Sequence, residues 1–209
     1  MIPTELWTHI HTERGRVLDL LESLEPADWS TMSECSVWTV EQVTAHLTAA
    51  ANTGTWAWIR SIVRARFNAD VHNDRLLARR LGPTPEATRD RFRASVPLTI
   101  APTKDLPAFL GEVIVHGQDM ARPLGRTLVP DPAAVREVAR FYAAKDFAVN
   151  SHRMVRGLRL EADDDAFTTG DGPIVSGPLV DLVLAMAGRR SGLDRLRGPG
   201  VDGLRERLS

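Results

Sequence analysis

The chain has one cysteine, Cys35, among 209 residues. A single thiol excludes an internal disulfide and any cysteine-based zinc finger. Apolar residues make up 43% of the sequence, yet no run approaches the ~18 residues of a membrane-spanning helix. Formal charge nearly cancels at −1, so no global field draws the chain to nucleic acid or to an anionic membrane. Lysine is almost missing, occurring only as Lys104 and Lys145. Arginine carries the remaining positive charge, which speaks of codon bias more than of mechanism. The opening residues 1–5 lack a basic region followed by an apolar core, so no secretory leader is expected and the cytoplasm is the expected location. Neither repeats nor low-complexity segments interrupt the chain.

What the sequence does contain is apolar periodicity of helical spacing. Leu6, Ile10, Val17, Leu20, Leu21 and Leu24 return to one side of a helix expected over residues 4–24, with Thr4 as its cap. A turn-rich loop over residues 25–38 follows, with Trp29 and Trp38 expected to anchor it by packing. Thr39 and Gln42 have the spacing of a capping box for a second helix. Val40, Val43, Leu47 and Ala50 form its apolar stripe, and His46 lies at the stripe's edge. Residues 55–60 continue helical. The basic section from Arg60 to Arg80 reads as a solvated helix face broken near residues 68–73, and it lacks the aromatic interleaving that base stacking requires. Further helices are expected over residues 86–96, from Asp105 to a terminator at residues 122–125, and from Asp131-Pro132 onward. Residues 155–162 then alternate as a half-buried strand does, residues 163–172 are turn-like, and residues 174–175 suit a short strand. A closing helix is expected over residues 178–187. The fold class is therefore mainly α, a helical bundle over residues 1–150 followed by a small α+β element over residues 151–209.

Chemistry concentrates at Glu112 and His116, four residues apart, with Asp119 three further on. On a helix these side chains share one narrow arc, beside an apolar stripe of Leu106, Phe109, Val113 and Met120. Burying a carboxylate and an imidazole costs roughly several kcal/mol unless they are compensated. A divalent cation is one candidate, with His46 as third ligand. An ordinary i,i+4 surface pair, worth ~0.2–0.5 kcal/mol, is the alternative that spacing leaves open. Two nitrogens and one oxygen suit zinc, and also nickel, iron or manganese, and three protein ligands leave a position open for chemistry. His9 and Glu13 repeat the spacing, but no apolar stripe lies beside them. Asp119 would orient His116 or pair with Arg122. Cys35 is expected to be a small buried residue, and His11, His72 and His152 are expected to be exposed. The run Asp163-Asp-Asp165 lacks the glycine of a calcium loop. Arg189 and Arg190 would bind a carboxylate or phosphate, or simply complement a helix C-terminus.

Four segments carry a family likeness. They are Leu20-Leu-Glu-Ser-Leu-Glu-Pro-Ala-Asp-Trp29, Cys35-Ser-Val-Trp-Thr-Val-Glu-Gln-Val-Thr-Ala-His-Leu47, Gly111-Glu-Val-Ile-Val-His-Gly-Gln-Asp-Met-Ala-Arg-Pro-Leu-Gly125, and a late stretch comprising residues 170–172 and 177–189. On these the chain resembles the mycothiol-dependent maleylpyruvate isomerase-like family, within the DinB-like superfamily of metal-binding four-helix bundles. Relatives carry Pro-Gly where this chain has Ser36-Val37. The resemblance implies a DinB-like four-helix bundle with His46, Glu112 and His116 as metal ligands, usually to zinc. It implies mycothiol as thiol cosubstrate, Asp119 in support, and Arg189 as a holder of thiol or substrate. The implied activity is S-transfer or thiol-assisted isomerisation of a small electrophile such as maleylpyruvate, by a monomer or homodimer. A metal-dependent hydrolase and a non-enzymatic ligand-binding bundle are the alternatives.

Overall fold

Proline sets the start of four helices: α1 (Pro3–Glu22), α5 (Pro85–Ser95), α6 (Leu106–Ala121) and α7 (Pro132–Ala144) each carry it in the first turn. The first turn has no intrahelical partner for that N–H, so its absence there costs nothing. The computed structural model describes residues 1–35, 37–64, 68–147 and 149–208. In α1 the start differs from the expected cap at Thr4. Glu5 reaches back to accept the backbone N–H of Ile2 at 3.2 Å, which places Thr4 inside the first turn. For α2 (Val40–Ala51) the expected box is present: Thr39 Oγ1 accepts the Gln42 N–H at 3.3 Å, and Gln42 Oε1 accepts the Thr39 N–H at 2.9 Å. Two further helices, α3 (Thr55–Arg64) and α4 (Ala69–Ala78), follow. The break expected near residues 68–73 is seen at Asn68, which is non-helical between α3 and α4, but it does not extend to residue 73, because α4 is helical from Ala69; residues 65–67 lie outside the described residues.

The chain forms two compact units, Ile2–Val129 and Pro130–Ser209, the latter with Met1. In the first, α1 packs on α5 and α6, while α2 packs on α4, α5 and α6. Val17, Leu21, Trp29, Val40, Val43, Phe92, Val113 and Met120 fill the centre of this bundle. Close approach to α6 needs a glycine, since a Cβ at Gly117 would stand 2.8 Å from Leu128 and 3.2 Å from Val17.

The second unit holds α7, α8 (Ser151–Val155), α9 (Leu179–Met186), α10 (Val201–Arg207) and three short strands. Asp131 caps α7 by accepting the N–H groups of Ala133 and Ala134 at 2.9 and 3.1 Å. The strands β1 (Arg159–Ala162), β2 (Thr168–Thr169) and β3 (Ile174–Gly177) form one sheet in the order β2-β1-β3. β1 runs antiparallel to β2 and parallel to β3, with Leu160 opposite Thr169 and Val175. The expected strand thus begins at Arg159, later than residue 155, because residues 151–155 are helical and Gly157 turns the chain at φ 76°. The expected boundary at residue 150 and the observed one at residue 130 differ by α7, which packs against α9. Residues 190–195 form a 3-10 turn ahead of α10, so α9 does not close the chain. Among the described residues no helix is long and apolar enough to cross a membrane.

Arg14 shows how the bundle absorbs charge. It is buried on α1, and its guanidinium donates to the carbonyls of Ser95 at 3.1 Å and Leu98 at 2.8 Å, at the end of α5. The Phe109 ring lies 5.1 Å below it. Burial pulls its pKa down to about 10, so it stays charged at neutral pH. Arg14→Met removes the guanidinium's hydrogen bonds to both carbonyls and should lower the unfolding free energy by about 1–3 kcal/mol. A fall in urea midpoint at unchanged slope is the expected readout; an unchanged midpoint would show that the buried cation contributes nothing net.

Candidate metal centre

Every residue of α6 except Pro107 and Glu112 is buried. Such a helix can carry polar side chains only if each finds a partner. Gln118 donates to the Leu128 carbonyl at 2.8 Å and receives a hydrogen bond from Arg122 Nε at 3.3 Å. His116 and Asp119 satisfy each other, with Nδ1 2.9 Å from Oδ2. This bond is the orienting contact that the spacing of His116 and Asp119 suggests. Asp119 braces His116, and the Nδ1–H tautomer it selects turns Nε2 the other way.

There Nε2 lies 3.4 Å from Glu112 Oε2, and the same carboxylate oxygen lies 3.2 Å from His46 Nε2. Two helices, α2 and α6, thus bring the three expected side chains together, all donor atoms lying within 4.8 Å of one another. Donors bound to one tetrahedral zinc at ~2.0–2.1 Å would stand roughly 3.3–3.4 Å apart. The cluster fits such an ion in chemistry and in spacing. Both histidines are buried, whereas the Glu112 side chain is 30% exposed, which makes its flank the accessible side.

The ionisation states follow from these contacts. Burial would raise the Glu112 carboxyl, but hydrogen bonds from His116 and His46 outweigh it and hold the group well below the usual carboxylate range. Burial would lower His116, yet its bonds to Asp119 and Glu112 prevail and lift it to about 10. His46 is pushed down, by burial first, and the neighbouring His116 charge adds to this against the opposing bond to Glu112. In the metal-free cluster one proton therefore sits on His116, between two carboxylates, beside a neutral His46.

Several residues differ from expectation. Trp29 packs in the core as expected, but Trp38 belongs to the site. Its ring lies 4.7 Å from that of His46 at a 32° tilt and 6.3 Å from that of His116, while Nε1 donates to Asp74 at 3.1 Å. The loop bearing it is tied to α6 by the Glu34 N–H, 2.9 Å from the Asp119 carbonyl. Cys35 is half-buried, and its sulfur lies within 4.8 Å of donor atoms of His116 and Asp119, a neighbourhood invisible in sequence. His72 was expected in solvent but is buried, its imidazole hydrogen-bonded to the Ser61 backbone and electrostatically coupled to His46. His11 is half-buried, 3.3 Å from the Leu98 carbonyl, and His152 is exposed as expected. Glu13 is buried and pairs with Arg16. Arg189 belongs to the second unit, where its guanidinium donates to the Ala187 carbonyl at 3.1 Å, at the end of α9.

With this geometry in place, comparison with known proteins becomes informative. Residues 10–108 match the family model described as mycothiol maleylpyruvate isomerase N-terminal domain. A crystal structure of the mycothiol-dependent maleylpyruvate isomerase is similar to the chain at 18% identity and a TM-score of 0.61. A histidine-to-alanine mutant of that enzyme is similar at 17% identity, again with a TM-score of 0.61. Both superpose over 95% of this chain and 93% of the other. No curated protein matches the sequence. The fold is thus shared with these isomerases along nearly the whole chain, and the family-model match over residues 10–108 includes the motif from Leu20 to Leu47.

Proposed function

We propose that the chain is a divalent-metal-dependent enzyme that adds a low-molecular-weight thiol, mycothiol, to a small electrophile such as maleylpyruvate. The conjugate would be retained in S-transfer, or the thiol would leave after double-bond rotation in cis–trans isomerisation. The observation that carries this reading is the convergence of His46, Glu112 and His116 with Asp119 behind them. The family-model match over residues 10–108 and the fold shared with mycothiol-dependent isomerases support the choice of thiol.

His46 and His116 would offer neutral Nε2 donors, and Glu112 one carboxylate oxygen. A bound zinc-like cation would supply Lewis acidity, lowering the pKa of a thiol so that it is a nucleophile at neutral pH. Asp119 holds the His116 ring in its ligating tautomer and balances the positive charge that the ring takes on. Trp38 covers one face of His46 and keeps water from that side. The exposed flank of Glu112 leaves room for the incoming sulfur. Asp119 remains the residue assigned to support, while the anion-holding role expected of Arg189, in the other unit, has no part in this reading.

Purified without chelator, the protein should carry about one zinc per chain, and His46→Ala should abolish stoichiometric binding. Asp119→Asn, which keeps shape but weakens the brace on His116, should cost about 10–100-fold in zinc affinity. Splayed ligands or a metal-free protein that accepts none would end the proposal.

The His116 proton gives a second test. A ligand must shed its proton to bind, and the folded-state pKa of about 10 lies above the ordinary 6.5. Apparent zinc affinity should therefore weaken by about tenfold for each pH unit lowered between pH 9 and 7. The opposite sign holds for the metal-free protein. There the protonated cluster's contribution to stability is complete below pH 6.5 and is lost as pH rises toward 10. A pH-independent zinc affinity contradicts this assignment.

Incubation with mycothiol and maleylpyruvate separates the two activities. Free thiol that falls without recovery indicates S-transfer, while constant thiol with a shifted double-bond geometry indicates isomerisation. Neither change, with zinc bound, would refute the thiol chemistry.

A further inference from the structure

The basic stretch between Arg60 and Arg80 does not simply fan into solvent. Arg60 on α3, Arg75 and Arg79 on α4, and Arg80 just beyond it line one cavity of about 390 Å³. Small-ligand sites commonly have volumes of ~300–1,000 Å³. Among the described residues no acidic side chain lines this cavity, and no carboxylate is paired with Arg60, Arg79 or Arg80. Planar guanidinium groups bind carboxylate and phosphate through paired hydrogen bonds. Several of them around one hollow attract anions and repel cations.

The cavity's position links it to the metal centre. Ala49 and Thr53 line it from α2, three and seven residues after His46. They share the helix face of His46, and Thr53 lies roughly 10 Å further along the axis. α4 repeats the arrangement. Arg75, Leu76 and Arg79 line the cavity three, four and seven residues after the buried His72. α2 and α4 pack together, and α2 contributes to both the ligand cluster and the cavity. Asn52 and Ser61 add neutral donors at the same hollow.

We propose that this cavity holds the anionic end of the electrophilic substrate, a small carboxylate- or phosphate-bearing molecule whose reacting carbon faces the His46, Glu112 and His116 cluster. The placement of the reacting end rests on the thiol-enzyme reading above; the anion site stands without it. The arginines select substrate by charge and position it, and they perform no bond chemistry.

Calorimetric titration of the zinc-loaded full chain with maleate, inorganic phosphate and neutral maleamide tests this directly. Maleate or phosphate should bind and maleamide should not, and the tighter of the two anions identifies the substrate's charged group. Arg60→Gln and Arg79→Gln should each weaken binding about tenfold, at unchanged zinc content. Arg126→Gln, which removes an exposed arginine outside the cavity, should leave binding unchanged. Protection of Arg60 and Arg79 from phenylglyoxal by the bound anion gives a second readout that needs no variant. Absence of anion binding, equal binding of maleamide, or unchanged affinity in both cavity variants overturns the inference. Anion binding that depends on these arginines, with no thiol consumed, would instead count against the thiol reading alone.

Discussion

The site depends on the burial of α6. A helix enclosed on nearly every side that nonetheless carries a glutamate, a histidine and an aspartate faces a penalty of roughly several kcal/mol for each uncompensated ion. The molecule meets it by arranging opposite charges in sequence. Fully buried Asp119 faces His116, His116 faces Glu112, and Glu112 faces His46 across the interhelical gap. In this chain of contacts the proton on His116 occupies the place a metal ion would take. The arrangement that makes the buried cluster tolerable is also the one on which the metal proposal rests, because a cation placed there would meet the same carboxylates. Arg14 illustrates a different solution in the same bundle, where carbonyls at the end of α5 serve in place of a counter-ion.

All three candidate ligands lie in the unit formed by Ile2–Val129. The family match covers residues 10–108 and so includes His46, while Glu112 and His116 fall beyond its end. The family-model match and the ligand geometry are consequently separate observations. The first lies in residues 10–108, the second in how α6 is set against α2.

Much of this was legible in the residues, for reasons that can be traced. Helical periodicity fixes which side chains share a face, so the pairing of Glu112 with His116 could be read from a spacing of four. Capping chemistry is equally local, and Thr39 with Gln42 formed the box their spacing requires. What could not be read depends on contacts distant in sequence. Trp38 resembles any loop anchor until α2 brings His46 beneath it. His72 sits in a basic, polar stretch, and only the packing of α4 on α2 turns it inward. The arginine-lined cavity needs α2, α3 and α4 together, and the charged faces of α3 and α4 are ordinary when each is read alone. At the far end, α10 hides in a segment rich in arginine and glycine, where Gly198 at φ 110° and the close approach of Gly200 to Pro173 set up the helix start.

The placement of Trp38 has an optical consequence. An indole stacked 4.7 Å from an imidazole senses that ring's electron density, and the anchoring of its N–H on Asp74 fixes its orientation. Whatever draws charge out of His46 must alter the environment of the excited indole. The molecule thus carries an intrinsic fluorophore in contact with the candidate metal centre, placed to register occupancy there without any added dye.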